Sequence, residues 1–232
     1  MASKEELKQV LRELNQQGDS TLFREKAKKF LKNVDAKTLS LAEQELMQEG
    51  IQPEHLHSLC EIHLDVLGSA LEQQRPELEK THPVCILMDE HEIILQNLEE
   101  LRGIIKKVKV SQGFDEIKGQ LERLRAVAHL LLETESHHQR EEEALFPKLE
   151  KHGVTGPPQM MRLEHDDLRA KKKRLAELAE QAENMDYKAF SQKLSEVGGY
   201  IAGTLKDHIF KEDHILYPTT LQTLEAKEWS EV

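Results

Sequence analysis

Residues 137–147 read HHQREEEALFP, and residues 208–218 read HIFKEDHILYP. The two stretches align without a gap. Each contains His-x-x-x-Glu, then an acidic residue, two further positions, Leu, an aromatic residue and Pro. A second pair of stretches, residues 87–91 (LMDEH) and 161–165 (MRLEH), ends in both cases on a histidine. The repeat indicates two copies of one helix pair, each carrying a lone histidine and a His-x-x-x-Glu motif.

Both His-x-x-x-Glu motifs have the spacing of one helical turn. At about 3.6 residues per turn, positions four apart lie on one helix face. A buried carboxylate surrounded by imidazoles is costly unless a cation lies between them. Imidazole and carboxylate ligands suit iron, with manganese or zinc as alternatives. The sequence therefore predicts a metal centre with the ligands His91, His137, Glu141, His165, His208 and Glu212.

The composition is typical of helix rather than sheet. The chain of 232 residues has 11 Gly, 7 Pro and 4% aromatic residues, which favours an all-α protein. Four long amphipathic helices joined by short loops predict an up-down-up-down four-helix bundle, followed by a short C-terminal helix. The four helices are predicted over about 83–109, 114–149 with an interruption near Pro147, from the end of the 153–158 loop to 183, and from the Asp186 cap to Pro218.

Shorter helices are predicted in the first 75 residues. Ser3 and Glu6 form a capping-box signature, and Gly18 is placed to end the helix that they begin. Further helices are predicted over 20–32, from the Asp35 cap to Gly50, and over 54–74. A polar stretch containing Pro76 predicts the boundary between a small helical domain, 1–76, and the bundle domain, 82–232.

The net charge argues against a nucleic-acid partner, and the distribution of apolar residues argues against a membrane-spanning helix. The chain has 43 acidic and 32 basic side chains and a formal net charge of −11. Nucleic-acid affinity depends on Lys and Arg contacts to phosphates, so no nucleic-acid partner is expected, and the basic run 171–174 is predicted to be a solvated face. No apolar stretch approaches the roughly 20 residues that cross a membrane. With only Cys60 and Cys85, read as reduced thiols, and no signal peptide, a soluble cytoplasmic protein is expected.

The stretch from about His82 to Leu221 resembles the hemerythrin-like domain, also called the HHE cation-binding domain, including its Leu-Phe-Pro and Leu-Tyr-Pro tails. The resemblance implies a non-heme site of two iron ions, joined by an oxo or hydroxo bridge and held by the six residues named above. Residues 41–50 and 59–63 resemble a small helical domain of unknown function that often precedes hemerythrin-like domains. That second resemblance implies no activity.

The chain departs from oxygen-carrying hemerythrins at two positions. Carriers have a fifth histidine four residues after the histidine of the third helix, where this chain has Arg169. Carriers also take their last carboxylate five residues after the final histidine, so Asp213 is an alternative ligand to Glu212. A site with four histidines is more open, and the layout is similar to di-iron repair-of-iron-centres proteins, which are associated with nitric-oxide and oxidative stress and with damaged iron–sulfur clusters.

Three functions follow from the resemblance. The first is binding of O2 or NO, in sensing or in protection against oxidative or nitrosative stress. The second is an enzyme that reduces NO or peroxide, for which Glu133, one turn before His137, is a candidate proton relay inside the bundle. A carboxylate bonded to a neighbouring helix is the equal alternative for Glu133. The third is an iron donor for iron–sulfur repair. An electron donor or an iron–sulfur client protein is the expected protein partner.

Other polar residues are placed away from the predicted centre. Glu90, Glu164 and Asp207 each precede a ligand histidine and are predicted to face solvent or a neighbouring helix, with support of a metal ligand as the alternative. His138 has no repeat partner and is predicted at the surface or a boundary. Tyr200 is predicted to pack in the core with a satisfied hydroxyl, with a redox partner as the alternative. Cys60 and His63 are interpreted as a buried thiol beside an ordinary histidine.

Overall fold

The computed structural model describes residues 4–17, 34, 36–51 and 77–232. These ranges are predominantly helical and contain no strand, which confirms the all-α prediction. Several predicted features lie outside the described residues: the caps at Ser3, Gly18 and Asp35, the helices over 20–32 and 54–74, Pro76, and the pair of Cys60 and His63.

The described residues form nine α-helices, two π-helical turns and three short 3-10 helices. The α-helices are α1 (Lys4–Gln17), α2 (Ala36–Gln48), α3 (Pro83–Val110), α4 (Lys118–Glu133), α5 (Glu135–Arg140), α6 (Phe146–Lys151), α7 (Gly156–Glu180), α8 (Tyr187–Lys211) and α9 (Tyr217–Leu221). The π-helical turns are Glu141–Leu145 and Glu212–Leu216. The 3-10 helices are Phe114–Glu116, Ala182–Asn184 and Glu228–Glu231.

The chain folds into two compact units. The first unit comprises Met1–Glu79, Leu145–Met161 and Phe210–Val232, and the second comprises Lys80–Ala144 and Arg162–Ile209. The division of the sequence into domains 1–76 and 82–232 stays a prediction.

The second unit is a helical bundle around an apolar core. The hydroxyl of Tyr187, at the start of α8, donates to the carbonyl of Val108 at the end of α3 over 2.7 Å. Near the middle of both helices, Arg102 donates to the carbonyl of Ala202 over 2.8 Å. α3 and α8 are therefore antiparallel, as an up-down-up-down bundle requires. The core between the helices is aliphatic and includes Leu98, Leu124, Leu175, Leu194 and Leu205.

The second long helix of the bundle is interrupted earlier than predicted. α4 ends at Glu133, and the hydroxyl of Thr134 donates to the carbonyl of Leu131 over 2.7 Å. Such a bond competes with the helical ladder. Lys172 also donates to the Thr134 hydroxyl over 2.6 Å and is only 1% exposed, so the prediction of a fully solvated 171–174 face is wrong at Lys172. Pro147 lies in the first turn of α6, where its missing N–H costs little.

Both repeats contain a π-helical turn at the same place. Each turn begins on the glutamate of the His-x-x-x-Glu motif, Glu141 in the first repeat and Glu212 in the second. π-helical turns inside α-helices are rare and are frequently found at functional sites. The repeated turn therefore marks this level of the helices as functionally constrained.

In the first unit, α2 is fixed to the start of α7 by one side chain. The Oε1 atom of Gln44 accepts from the backbone N–H groups of Thr155 (2.7 Å) and Gly156 (3.0 Å). The Gln44 amide nitrogen donates to the carbonyl of Gly153 over 2.9 Å. Gln44 thus satisfies N–H groups that a helix start leaves without partners. α2 ends at Gln48, and the predicted stop, Gly50, has a φ of +96°.

Candidate metal centre

The structure brings the four predicted histidine ligands together as two facing pairs in the bundle. The Nε2 atoms of His91 and His137 lie 3.1 Å apart. The Nε2 atoms of His165 and His208 lie 3.0 Å apart. All four side chains are buried. Each pair therefore presents two ring nitrogens to one point inside the bundle.

Glu141 lies between the two histidine pairs. Its carboxylate is 0% exposed, and its Oε2 atom is 3.7 Å from Nε2 of His137 and 3.6 Å from Nε2 of His165. One carboxylate oxygen therefore lies at nearly equal distances from a ring of each pair. Glu141, His165 and His208 each offer a ligand atom within 4.8 Å of the others. Glu141 therefore offers a buried carboxylate oxygen beside a ring nitrogen of each pair.

The second predicted carboxylate belongs to the first unit. Glu212 is buried and begins the π-helical turn that follows α8, four residues after His208. Asp213, the alternative ligand, is half-buried in the same turn. The choice of Glu212 over Asp213 stays a prediction.

Carboxylates hold His137, His165 and His208 from behind. Glu90 accepts from Nδ1 of His137 over 2.7 Å. The matching bonds join Glu142 to His165 over 2.6 Å and Glu164 to His208 over 2.7 Å. An ionised carboxylate only accepts, so Nδ1 carries the proton in each ring and the lone pair lies on Nε2. Glu90 and Glu164 were predicted to face solvent or a neighbouring helix, with support of a predicted metal ligand as the alternative. The structure agrees with the alternative for both residues.

These hydrogen bonds test whether the residues suit a metal. Because both rings of the His165 and His208 pair donate through Nδ1, their Nε2 lone pairs face each other at 3.0 Å. Two acceptors at that distance repel unless a proton or a cation lies between them. Two imidazoles at right angles around an ion, each about 2.1 Å from it, have nitrogens about 3.0 Å apart. The donor set therefore fits a metal ion.

Comparison with protein families agrees with this geometry. The model of the hemerythrin HHE cation binding domain matches residues 82–220. The chain belongs to this family. The model of a family of unknown function, DUF438, matches residues 7–73, which confirms the second resemblance. A search of curated proteins gives no match. Among the described residues, no helix has the length and apolar character needed to cross a membrane.

Glu90 and Glu142, behind His137 and His165, also accept hydrogen bonds from arginines. Burial raises the pKa of Glu90, but hydrogen bonds from His137 and Arg140 outweigh it and lower that pKa to about 2. Arg169 donates to Glu142 over 2.8 Å and to Glu135 over 2.7 Å. Although burial opposes it, these bonds raise the pKa of Arg169 above its usual value. Arg169, identified from sequence only as a missing histidine, therefore anchors the carboxylate behind His165.

His138 was missed by the sequence analysis. It is 1% exposed rather than at the surface, and its ring stacks on that of His165 with centroids 4.0 Å apart and planes 6° from parallel. His138, His165 and His208 also offer ligand atoms within 4.8 Å of one another. The repeat contained a signal for this burial, because the position equivalent to His138 is Ile209, which is buried as well.

Glu133 does not lie inside the bundle of this hemerythrin domain. Its side chain is 62% exposed and lies 3.3 Å from Nδ1 of the exposed His129. Glu133 and His137 were expected to lie on one face of a continuous helix, but the helix is interrupted at Thr134, between them. The prediction of an internal proton relay at Glu133 is therefore wrong.

Two further side chains near the centre lie outside the core. Tyr200, predicted to pack in the core, is 43% exposed. Its hydroxyl donates to Asp167 over 2.6 Å, and this bond and partial burial raise the pKa of Tyr200. Asp207 is exposed.

We expect the replacement Arg169→Gln to weaken metal binding without abolishing it. The variant loses the cation that anchors Glu142, and residues that support a ligand typically contribute about 10- to 100-fold in metal affinity. Because Arg169 acts through Glu142, we expect about 10-fold, measured by competition with a chelator. Arg174→Gln is the matched control, since Arg174 lies on the same helix with its charge at the surface. Equal affinities in the two variants would contradict the assignment.

Proposed function

We propose that this chain is a non-heme di-iron protein that binds O2 or NO, in sensing or in protection against oxidative or nitrosative stress. The observation that carries the proposal is the pair of facing histidine pairs with one carboxylate between them. Each pair would supply two nitrogen ligands, and Glu141 lies between the pairs, where it would be shared by two ions. Mixed imidazole and carboxylate ligation is suited to iron.

The residues of the site favour binding of a small ligand. Iron held by two imidazoles and by Glu141 would still have positions left for a small exogenous molecule. When bound, iron supplies the redox change and the affinity for such molecules. The protein supplies buried rings whose orientation is fixed by Glu90, Glu142 and Glu164. Burial of the rings excludes bulk water from the ligands.

The two alternative functions have less support. The enzymatic alternative relied on Glu133 as an internal proton relay, and Glu133 is exposed. An iron donor must release its metal, whereas the carboxylates and arginines behind His137 and His165 hold the ligands in place. Binding without turnover is therefore the preferred function. The electron donor, the iron–sulfur client protein and the cytoplasmic location stay predictions.

Metal analysis and spectroscopy test the proposal on the full-length protein purified without added metal. We expect about two irons per chain and charge-transfer bands in air that bleach with dithionite and change with NO. Repeated cycles of O2 or NO binding and release without product support binding. Formation of N2O from NO with added reductant would instead support the enzymatic alternative over binding. Iron far below one per chain, with no uptake on reconstitution, would refute the di-iron site.

A further inference from the structure

A small apolar cavity lies in the first unit, separate from the residues assigned to the metal centre. Its volume is about 40 Å³. The wall is formed by residues of α2, of the first turns of α7, and of the π-helical turn after α8. Its apolar lining consists of Met47, Pro157, Met160, Met161, Ile215 and Leu216.

The cavity is a product of the way α2 is fixed in this unit. Gln44 bonds the three backbone groups that lead into α7, as described above. A Cβ atom on Gly156 would lie 2.9 Å from Cβ of Gln44 and 2.9 Å from Cε of Met47. The glycine therefore permits a close approach of α2 to α7. Beside this contact, the long methionine side chains leave the space unfilled.

The polar residues of the wall contribute little surface to the cavity, whose exposed lining is almost entirely apolar. Ser40 is buried, and its hydroxyl lies 3.4 Å from that of Thr219. Glu43 and Lys211 also line the cavity, and both have interaction partners in the protein. An internal water needs two to four polar partners, whereas apolar cavities stay dry and take up apolar molecules such as xenon. The lining therefore favours an apolar occupant.

We propose that this cavity binds a small apolar gas molecule of the size of O2. A space of 40 Å³ holds roughly three water-sized spheres at about 10–15 Å³ each, which suits a diatomic molecule. Methionine side chains are flexible and polarisable, so three of them adapt to such an occupant. The site needs no metal, and its existence does not depend on the proposed function of the metal centre.

The methionines of the chain allow a direct test. The sequence has six, of which Met47, Met160 and Met161 line the cavity, while Met88 and Met185 lie in the second unit. Full-length protein with 13C-labelled methionine methyl groups is titrated with xenon under pressure. We expect saturable shifts at the three lining methyls and none at Met88 or Met185. Absent shifts, or linear shifts of equal size at all five methyls, would overturn the proposal.

A cavity-filling variant locates the site. Met160→Trp places a larger side chain at a half-buried wall position, and we expect it to abolish the xenon shifts of Met47 and Met161. Met185→Trp, at a half-buried methionine outside the cavity, is expected to leave them unchanged. Persistence of the shifts in Met160→Trp would refute the location. If that variant misfolds, the wild-type titration decides alone.

Dissolved O2 is the second probe, because its paramagnetism shortens the relaxation times of nearby methyl groups. Selective enhancement of relaxation at Met47, Met160 and Met161 is expected. Enhancement of the same size at Met88 and Met185 would show that O2 does not occupy the cavity.

Discussion

Replacement of Glu141 by Gln is expected to reduce the iron bound per chain from about two ions to at most one. Glutamine has nearly the same shape but no charge, and Glu141 lies between the two histidine pairs where a shared ligand is needed. Loss of a group that only supports a ligand lowers metal affinity by about 10- to 100-fold. Loss of the shared carboxylate itself should exceed that range. Metal analysis after exhaustive dialysis measures the effect, with far-ultraviolet circular dichroism to confirm that the helices remain.

Glu143→Gln is the matched control for this experiment. Glu143 lies in the same π-helical turn as Glu141 but is exposed, so the same change in charge occurs away from the ring nitrogens. We expect this variant to bind as much iron as the wild type. Full iron content in a folded Glu141→Gln variant would show that Glu141 is not a ligand. Equal losses in the two variants would point to the charge of the turn instead.

Much of the bundle could be predicted because its signals are local or repeated. Asp186 was predicted to cap the fourth bundle helix, and its Oδ1 atom accepts from the backbone N–H of Ala189 over 3.0 Å. The aligned motifs identified His137 and His208 as equivalent because both copies kept the same spacing to a glutamate. Local hydrogen-bond chemistry and periodicity are properties of the sequence itself. The structure adds how the resulting helices face one another.

The parts of the centre that were missed depend on contacts between helices. Glu90 bonds a histidine of another helix rather than its own neighbour His91, so the spacing along α3 gives no hint of the bond. The break at Thr134 involves Lys172, which lies 38 positions away in the sequence. The periodicity of a helix predicts which of its faces is buried, but not which residue of a neighbouring helix contacts that face. Because the helix is interrupted at Thr134, Glu133 lies at the surface, and the proton relay that a continuous helix predicted is absent at this residue.

His138 shows a second limit of prediction from the sequence repeat. The repeat indicates function only where the same chemical group occurs twice, and His138 corresponds to Ile209, whose side chain is aliphatic. Comparison of burial rather than chemistry would have marked both positions as core. Oxygen carriers have their fifth histidine where this chain has Arg169. Among the described residues, this chain has a fifth buried imidazole at another position, His138. Its ring is parallel to that of His165, and one ion cannot lie in the planes of two parallel rings. The stack positions His165 and does not replace the missing ligand.

Removal of the metal from the wild-type protein is expected to lower the Tm by roughly 10 °C. Ions that bind only the folded chain stabilise it by about 4 kcal/mol when the free metal is 1,000 times its Kd. For chains of this size, 1 kcal/mol corresponds to about 2–4 °C in Tm. The metal-free protein must also keep the facing nitrogens of His165 and His208 apart or hold a proton between them. Thermal unfolding followed by circular dichroism, before and after reduction and chelation, measures the difference.

The same measurement on Glu141→Gln connects this shift to the centre. If the stabilisation comes from ions held by the two histidine pairs, a variant that retains at most one ion should show at most about half of the shift in Tm. Chelator added to protein that is already metal-free should have no effect, which controls for binding of the chelator itself. An unchanged Tm after proven loss of the metal would mean that the carboxylates behind the rings stabilise the empty pairs unaided. The bundle would then be a preformed site whose folding does not depend on its ion.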